Sequence, residues 1–117
     1  MEISIVTPAY NEKASVRPLY QGLKKMLDGN RTLISRYEII YVDDGSTDGT
    51  SEEIRNIPDP SVRLISLPQH AGKSAALIEG FEIAAFNIIA TIDSDLQDDP
   101  FDLPKLITKL EDGYDCV

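Results

Sequence analysis

The stretch YEIIYVDDGSTDGT, residues 37–50, decides the fold class of this chain. Its first half, YEIIYVD (37–43), is an apolar run rich in β-branched and aromatic residues, which favours a buried strand. The run passes directly into Gly, Ser, Thr and Asp, which favour a turn, and Ser46 or Asp48 can cap a short helix near 49–56. A strand that ends in a polar turn and continues as a helix is half of a βαβ unit.

The same order of strand, polar turn and helix recurs along the chain. Strands are predicted at 3–7, 37–43, 62–67 and 87–93, and helices at 12–28, 49–56, 72–86 and from residue 100 onward. We expect Pro8 to end the first strand, because proline lacks the N–H that a central ladder needs. We expect Pro18 to mark the firm start of the first helix, because proline suits a first turn.

This alternation predicts an α/β fold, namely a doubly wound, Rossmann-like three-layer sandwich with a mainly parallel sheet. Right-handed crossovers make this a doubly wound fold. From the four alternations we predict the strand order 3-2-1-4, with the reversal between strands one and four. Ligands of such folds bind at the carboxyl ends of the strands, near that reversal. Residues 1–117 are interpreted as one domain, and YDCV (114–117) resembles the start of a further strand, which indicates a longer protein.

The amino-acid composition and the net charge exclude several classes of function. The net charge of −9 over 117 residues argues against nucleic-acid binding and against docking of this segment on an anionic membrane. The single cysteine excludes an intrachain disulfide and favours a reducing compartment. No signal peptide and no apolar run of about 20 residues is visible, so a cytoplasmic location is expected. An acidic protein can still bind an anionic substrate through a divalent cation.

A polar cluster follows each predicted strand. The four clusters are PAYNE (8–12), DDGSTDGT (43–50), QHAGKS (69–74) and DSDLQDD (93–99). Because the carboxyl ends of parallel strands meet at one edge of a sheet, we expect the clusters to converge there.

The cluster after the fourth strand is the strongest candidate for a metal site. Asp93 and Asp95 alternate about Ser94, so an extended strand end directs both carboxylates to the same side. Carboxylate oxygens suit Mg²⁺ or Mn²⁺, and Gln97 could add an amide oxygen. The alternative is a solvated acidic turn, and we assign the aspartates at 98–99 to a helix start, where acids are favourable.

The other clusters offer groups that suit a nucleotide. Tyr10 could stack on a base, Glu12 could reach a ribose or a base edge, and Asp44 could accept from a base N–H or a ribose hydroxyl. Gly72 opens a helix beside Lys73, and a helix N-terminus with a lysine can favour phosphate oxygens.

Each of these groups also has a simpler explanation. The Gly, Ser, Thr and Asp residues of DDGSTDGT favour a turn whether or not they bind a ligand. Asn11 could merely cap the first helix, and Lys73 could be a solvated helix-start residue. His70 lacks the partner spacing of a zinc site or a catalytic triad and is interpreted as a loop residue, with a position near the phosphates as the alternative.

Taken in order, TPAYNE, VDDGSTDGT, GKSAAL and IDSDLQDDP resemble family 2 glycosyltransferases with the GT-A fold. The last motif is most similar to the branch that includes dolichol- or polyprenyl-phosphate mannose and glucose synthases. The resemblance implies sugar transfer from a UDP- or GDP-sugar to a lipid phosphate, with a saccharide hydroxyl as the alternative acceptor. A non-catalytic nucleotide-binding fragment is the alternative from another class.

The resemblance also implies residue roles. The nucleotide-sugar-binding residues are Pro8, Ala9, Tyr10, Glu12, Asp44, Lys73, Asp93, Ser94 and Asp95, and the ligands of Mg²⁺ or Mn²⁺ are Asp93, Asp95 and Gln97. The acceptor-side region of the family lies beyond residue 117, so no catalytic residue is assigned. Members of the branch often carry later membrane segments, which would place the full-length protein at the cytoplasmic face of a membrane.

Overall fold

Residues 1–92, the part of the chain that the computed structural model describes, alternate strands with helices. The strands are β1 (Glu2–Ala9), β2 (Arg36–Asp43), β3 (Val62–Ser66) and β4 (Ile88–Thr91), and the helices are α1 (Lys13–Asp28), α2 (Thr50–Arg55) and α3 (Lys73–Ile83). The predicted order of elements is confirmed over this range.

The strands form a parallel sheet with the order β3-β2-β1-β4. β1 therefore lies between β2 and β4, and its Ile5 is in register with Ile39 on one side and Ala90 on the other. The predicted α/β class and the predicted strand order are both confirmed. The reversal of strand order falls between β1 and β4, where a doubly wound fold binds its ligands.

Helices cover both faces of the sheet, as the run of apolar residues in β1 requires. Successive side chains of a strand point to opposite faces, so Ile5 packs in the core under α1 and α2 while Val6 packs under α3. α1 contributes Leu19 and Leu23 to the first core, and both side chains are buried. Complete burial of each such side chain stabilises the fold by about 1.5–3 kcal/mol.

The prediction that Pro8 ends the first strand is wrong. β1 runs on through Pro8, which pairs with Val42, to Ala9, which pairs with Asp43. The carbonyl of Val6 accepts from Ile92 on the β4 side, and Pro8 has the same orientation as Val6 along the strand. The missing N–H of Pro8 therefore faces the β4 side, where the described strand pairing ends at Val6. The proline removes no hydrogen bond from the pairing of β1 with β2.

The prediction that Pro18 marks the firm start of the first helix is also wrong. α1 begins five residues earlier, at Lys13, and carries Pro18 in its interior on the exposed side. Side chains of the 46–50 loop accept from the backbone at this helix start: Glu12 N–H donates to Thr50 Oγ1 (3.1 Å) and Lys13 N–H donates to Asp48 Oδ2 (3.3 Å). These bonds satisfy N–H groups that a helix N-terminus leaves free, so the first turn forms without a proline.

α3 lies very close to the sheet and ends at Ile83, earlier than predicted. A Cβ added at its Gly80 would lie 2.4 Å from Val6 Cγ1, so glycine is what allows this approach. The exit of α3 is fixed by Glu38 of β2, whose carboxylate accepts from Ala85 N–H (2.5 Å) and from Arg63 (2.8 Å). Its Oε2 also accepts from the hydroxyl of Ser4 (2.6 Å).

Candidate functional site

Three of the four polar clusters meet at the carboxyl edge of the sheet. Ala9 of β1 is in register with Asp43 of β2, and Asp43 with Ser66 of β3. The segments that follow these residues in the sequence therefore start side by side. The predicted convergence is confirmed for the clusters after β1, β2 and β3.

Asn11 joins the first cluster to the second. Its backbone is left-handed, with φ of +51°, a conformation that asparagine tolerates better than most residues. Its N–H donates to Ser46 Oγ and its Oδ1 accepts from Thr47 N–H, both at 2.8 Å. The expectation that Asn11 caps α1 is not met, since Glu12 holds the N-cap position. The Asn11 side chain instead holds the 46–47 turn against the end of β1.

Two further aspartates, Asp43 and Asp48, accept hydrogen bonds from groups within and just after the 43–50 loop. Asp43 is buried and accepts from Ser46 N–H (3.0 Å) and from the hydroxyl of Ser51. Asp48 Oδ1 accepts from Thr50 N–H (3.1 Å) at the start of α2, and the hydrogen bond from the Thr50 hydroxyl lowers the pKa of Asp48. The carboxylates therefore give this loop one conformation.

Asp44 connects the second cluster to the third. Its side chain is 4% exposed, and Oδ1 accepts from Ala71 N–H (2.8 Å) while Oδ2 accepts from Gly72 N–H (2.9 Å). Nδ1 of His70 lies 2.9 Å from Oδ2. These bonds fix the turn before α3, and they occupy most of the acceptor capacity of the carboxylate. Direct contact between Asp44 and a base stays a prediction.

Tyr10 and His70 form an exposed aromatic pair at the same edge. Their ring centroids are 3.9 Å apart, with an angle of 30° between the planes. Tyr10 is 43% exposed, so part of its ring remains open to a ligand. The sequence predicts a stacking role for Tyr10, and the structure adds the neighbouring imidazole.

The remaining described candidates surround this pair. Ala9 is buried, and its carbonyl accepts from Asp44 N–H at 2.8 Å. Pro8 is half-buried, Glu12 is half-buried at the start of α1, and Lys73 is the first residue of α3. Four of the six described candidates thus have exposed or half-buried side chains, whereas Ala9 and Asp44 are buried.

A surface pocket of about 560 Å³ lies beside Glu12, at the start of α1. It is lined by Asn11, Glu12, Lys13, Ala14, Arg17, Asp48 and Glu53. Charges of both signs line it, and Arg17 Nε pairs with Glu53 Oε1 at 2.6 Å across it. The pocket extends the carboxyl edge on the α1 side.

The sequence comparison establishes the family. A family model described as "Glycosyl transferase family 2" matches residues 4–117. The chain belongs to glycosyl transferase family 2. The GT-A resemblance that the four motifs carry is therefore confirmed at the level of the family.

Curated relatives match this family 2 chain over nearly all of its length. It is 39% identical to the undecaprenyl-phosphate 4-deoxy-4-formamido-L-arabinose transferase of Proteus mirabilis, over 99% of the chain and 36% of that protein. It is 36% identical to the uncharacterized glycosyltransferase YkcC of Bacillus subtilis, over 100% of the chain and 36% of that protein. The chain thus spans about a third of the length of the curated relatives it matches.

Solved glycosyltransferase structures share the fold. A mannosyltransferase from Pyrobaculum calidifontis, in complex with GDP-Man and Mn²⁺, gives a TM-score of 0.68 at 27% identity, over 80% of the chain and 27% of that structure. Glucosyl-3-phosphoglycerate synthase from Mycobacterium tuberculosis, in complex with phosphoglyceric acid, gives 0.73 at 30% identity, over 96% and 40%. The predicted GT-A type of α/β fold is confirmed by these neighbours.

The predicted metal ligands of this family 2 chain lie outside the described residues, as Asp93, Asp95 and Gln97 all follow residue 92, and so does Ser94. Within residues 1–92, no group of three His, Cys, Asp or Glu side chains is arranged to hold a metal ion. Ile92 N–H donates to Val6 O, so the last described residue is hydrogen-bonded to β1. In the same range no helix is long and apolar enough to cross a membrane.

Sequence reasoning missed three residues that organise the candidate site of this family 2 chain. From the sequence, Asn11 is a possible helix cap, His70 a loop residue and Gly45 part of a turn, and none of them is assigned to the contacts described above. Gly45 has φ of +74°, and a Cβ there would lie 2.4 Å from His70 N, so the backbones of the two loops touch. The residues DDG predict a turn, but no nearby sequence pattern indicates that the backbone of residues 69–70 packs against it.

Proposed function

We propose that this chain binds a nucleoside-diphosphate-sugar at the carboxyl edge of the sheet, as the donor half of a glycosyltransferase. The observation that carries the proposal is the joining of three clusters into one edge by Asn11 and Asp44, with Tyr10 exposed at its surface. Family membership supplies the reaction class, and the complex of the related mannosyltransferase with GDP-Man supports the ligand class.

The nucleoside occupies the side of the edge formed by Tyr10 and Glu12. An aromatic face that is partly exposed can stack on a base, and base–aromatic stacking contributes about 1–3 kcal/mol. Glu12 is half-buried beside the pocket at the start of α1 and supplies a carboxylate for a ribose hydroxyl. Both UDP- and GDP-sugars fit this proposal.

A divalent cation, Mg²⁺ or Mn²⁺, held by Asp93, Asp95 and Gln97 belongs to the same proposal. The chain itself carries a net charge of −9, which opposes binding of a diphosphate unless the charge is neutralised locally. When bound, the cation acts as a Lewis acid on the leaving diphosphate. The Mn²⁺ in the mannosyltransferase structure supports a divalent metal in general.

The acceptor that we propose is a polyprenyl phosphate. The relative from Proteus mirabilis is an undecaprenyl-phosphate transferase by name, at 39% identity. An acceptor that is already a phosphate anion needs little deprotonation before it attacks the anomeric carbon, whereas an alcohol needs a general base. In the transfer, the anomeric carbon gains a bond to a phosphate oxygen of the acceptor and loses its bond to the nucleoside diphosphate.

The test is a transfer assay on the full-length protein with radiolabelled UDP- and GDP-sugars and Mn²⁺. Undecaprenyl phosphate is offered as one acceptor and a saccharide without phosphate as the other. The proposal predicts label in the lipid phosphate and release of a nucleoside diphosphate. Label only in the saccharide would refute the lipid-phosphate acceptor, and donor binding without transfer or hydrolysis would indicate a non-catalytic nucleotide-binding module.

A further inference from the structure

His70 holds two site residues at once through different parts of one ring. Its face stacks on Tyr10, with centroids 3.9 Å apart, and its Nδ1 lies 2.9 Å from Asp44 Oδ2. Nδ1 also lies 3.3 Å from the backbone carbonyl of Asp44. The imidazole therefore bridges the segment after β1 and the segment after β2, although it belongs to the segment after β3.

The position of this ring is determined by its backbone as well as by its contacts. Gly45 lets the backbone of residues 69–70 approach so closely that a Cβ would meet His70 N at 2.4 Å. Asp44 fixes the next two residues through Ala71 N–H and Gly72 N–H. Because the backbone is fixed on both sides of His70, few orientations are open to its ring.

This arrangement is not explained by core packing. The side chain of His70 is 52% exposed and Tyr10 is 43% exposed, so the pair lies on the surface at the carboxyl edge. An exposed tyrosine ring ordinarily samples several rotamers, and ordering it costs conformational entropy. A ring that is already ordered by a neighbour can stack on a ligand without that cost.

We infer that His70 is a positioning residue, which orders the Tyr10 ring as the surface on which the nucleobase of the donor stacks. The inference rests on the proposed donor function and deepens it. The contact that matters is ring on ring, and the hydrogen bond to Asp44 fixes the imidazole. Because every base has a π-face, the effect is the same for UDP and for GDP.

Three substitutions separate the two contacts of His70. His70→Phe keeps a ring against Tyr10 and loses the hydrogen bond to Asp44. His70→Asn keeps a donor near the position of Nδ1 and loses the ring. His70→Ala loses both, and Gln69→Ala, at the exposed neighbouring position, is the matched control for disturbance of the loop.

Binding is measured by calorimetry on the full-length protein with UDP, GDP and pyrophosphate, each with Mn²⁺. We expect His70→Ala and His70→Asn to weaken UDP and GDP binding by about 3- to 10-fold, the range of an aromatic pair. We expect His70→Phe to stay within about 3-fold of wild type. Pyrophosphate, which has no base, should bind all variants alike, and Gln69→Ala should bind all three ligands as wild type does.

A second readout needs no nucleotide. Tyr10 is replaced by 3-fluorotyrosine, and its ¹⁹F resonance is recorded in the free protein with each substitution at position 70. We expect the resonance to move in His70→Ala and His70→Asn more than in His70→Phe. An unmoved resonance in His70→Ala would overturn the ordering of Tyr10 whether or not the protein binds a nucleotide.

The outcomes distinguish this inference from the proposed function. If wild type binds UDP or GDP and His70→Asn binds it equally well, the positioning role of the ring is wrong and the donor function stands. If pyrophosphate binding falls in parallel with nucleotide binding, His70 merely maintains the loop and the inference is overturned. If wild type binds no nucleoside diphosphate, the proposed function fails, and the stacking role of Tyr10 fails with it.

Discussion

Gly45 and His70 are in direct backbone contact, since a Cβ on Gly45 would lie 2.4 Å from His70 N. The contact joins the loop after β2 to the loop after β3, and it requires a residue without a side chain at φ of +74°.

Gly45→Ala should therefore destabilise the protein and loosen the site together. The added methyl group meets backbone atoms, which cannot rotate away, and left-handed alanine adds strain of about 1 kcal/mol. We expect a loss of about 2–4 kcal/mol in the free energy of unfolding, measured by urea denaturation. Gly49→Ala is the matched control, because it has a similar φ of +90° but an added Cβ would meet only the Lys13 side chain at 3.6 Å. Equal losses in the two variants would show that the contact with His70 adds nothing.

Asp44→Asn tests the carboxylate that fixes the turn before α3. An amide NH₂ placed opposite Ala71 N–H or Gly72 N–H sets donor against donor at a buried position. We expect the free energy of unfolding to fall by about 1–3 kcal/mol, the cost of an unsatisfied buried group. Glu52→Gln removes an exposed carboxylate in the first turn of α2 and should cost less than about 1 kcal/mol. A loss in Asp44→Asn no larger than in Glu52→Gln would contradict the structural role of Asp44.

Much of the fold could be predicted from local sequence, because apolar runs and helical spacing report burial directly. The order 3-2-1-4 needed one additional premise, that a doubly wound sheet reverses its strand order between strands one and four. The predictions for Pro8 and Pro18 were wrong for a physical reason. Whether Pro8 interrupts a ladder depends on which neighbour its nitrogen faces, and whether α1 can start before Pro18 depends on side chains at 48–50, far along the chain.

The sequence predicts where the candidate site lies, but it does not predict which residues contact each other there. Strand ends locate Tyr10, Glu12 and Asp44 at one edge, since topology alone brings them there. The partners of Asp44 lie 27 and 28 residues further on, and no local pattern indicates them. The assignment of Asp93, Asp95 and Gln97 to a metal stays a prediction.

Glu38 should make the stability of the protein depend on acid pH. Burial alone would raise its pKa, but the hydrogen bonds from Ser4, Arg63 and Ala85 outweigh burial and hold the pKa below 4.5. The unfolded chain therefore binds a proton more readily than the folded protein does. The stabilisation by Glu38 is complete above its ordinary pKa and is lost as the pH falls through the folded-state pKa.

The measurement is urea denaturation between pH 6 and pH 2.5 of wild type, Glu38→Gln and Glu79→Gln. Wild type should be more stable than Glu38→Gln at pH 6 by about 1–3 kcal/mol, because the amide cannot accept from all the donors of the carboxylate. The difference in the free energy of unfolding should narrow as the pH falls through the lowered pKa of Glu38. Glu79 is an exposed residue of α3, so Glu79→Gln should follow wild type throughout. A gap that stays constant down to pH 2.5 would contradict the linkage.

Gly80→Ala tests the close approach of α3 to the sheet. The added methyl group would lie 2.4 Å from Val6 Cγ1 and 3.3 Å from Val42 Cγ2, so α3 or the strands must shift. Alanine favours a helix by about 1 kcal/mol over glycine, whereas overpacking costs about 1–3 kcal/mol, and we expect a net loss of up to about 2 kcal/mol. In a Val6→Ala background the contact at 2.4 Å is gone and only the milder one with Val42 remains, so Gly80→Ala should cost less or become stabilising. Thermal denaturation of the four proteins measures this. If Gly80→Ala lowered the thermal stability equally with Val6 and with Ala at position 6, contact with Val6 would not be the cause.

The central claim is that the chain binds a nucleoside diphosphate through a metal held after β4, and calorimetry tests it most directly. UDP and GDP are titrated into the full-length protein with Mn²⁺ and then with a chelator, in wild type, Asp95→Asn and Asp99→Asn. We predict that at least one nucleotide binds, that the chelator or Asp95→Asn weakens binding by about tenfold or more, equivalent to about 1.4 kcal/mol, and that Asp99→Asn changes it little. Equal affinity with Mn²⁺ and with chelator, or equal weakening by the two substitutions at unchanged thermal stability, would contradict the account.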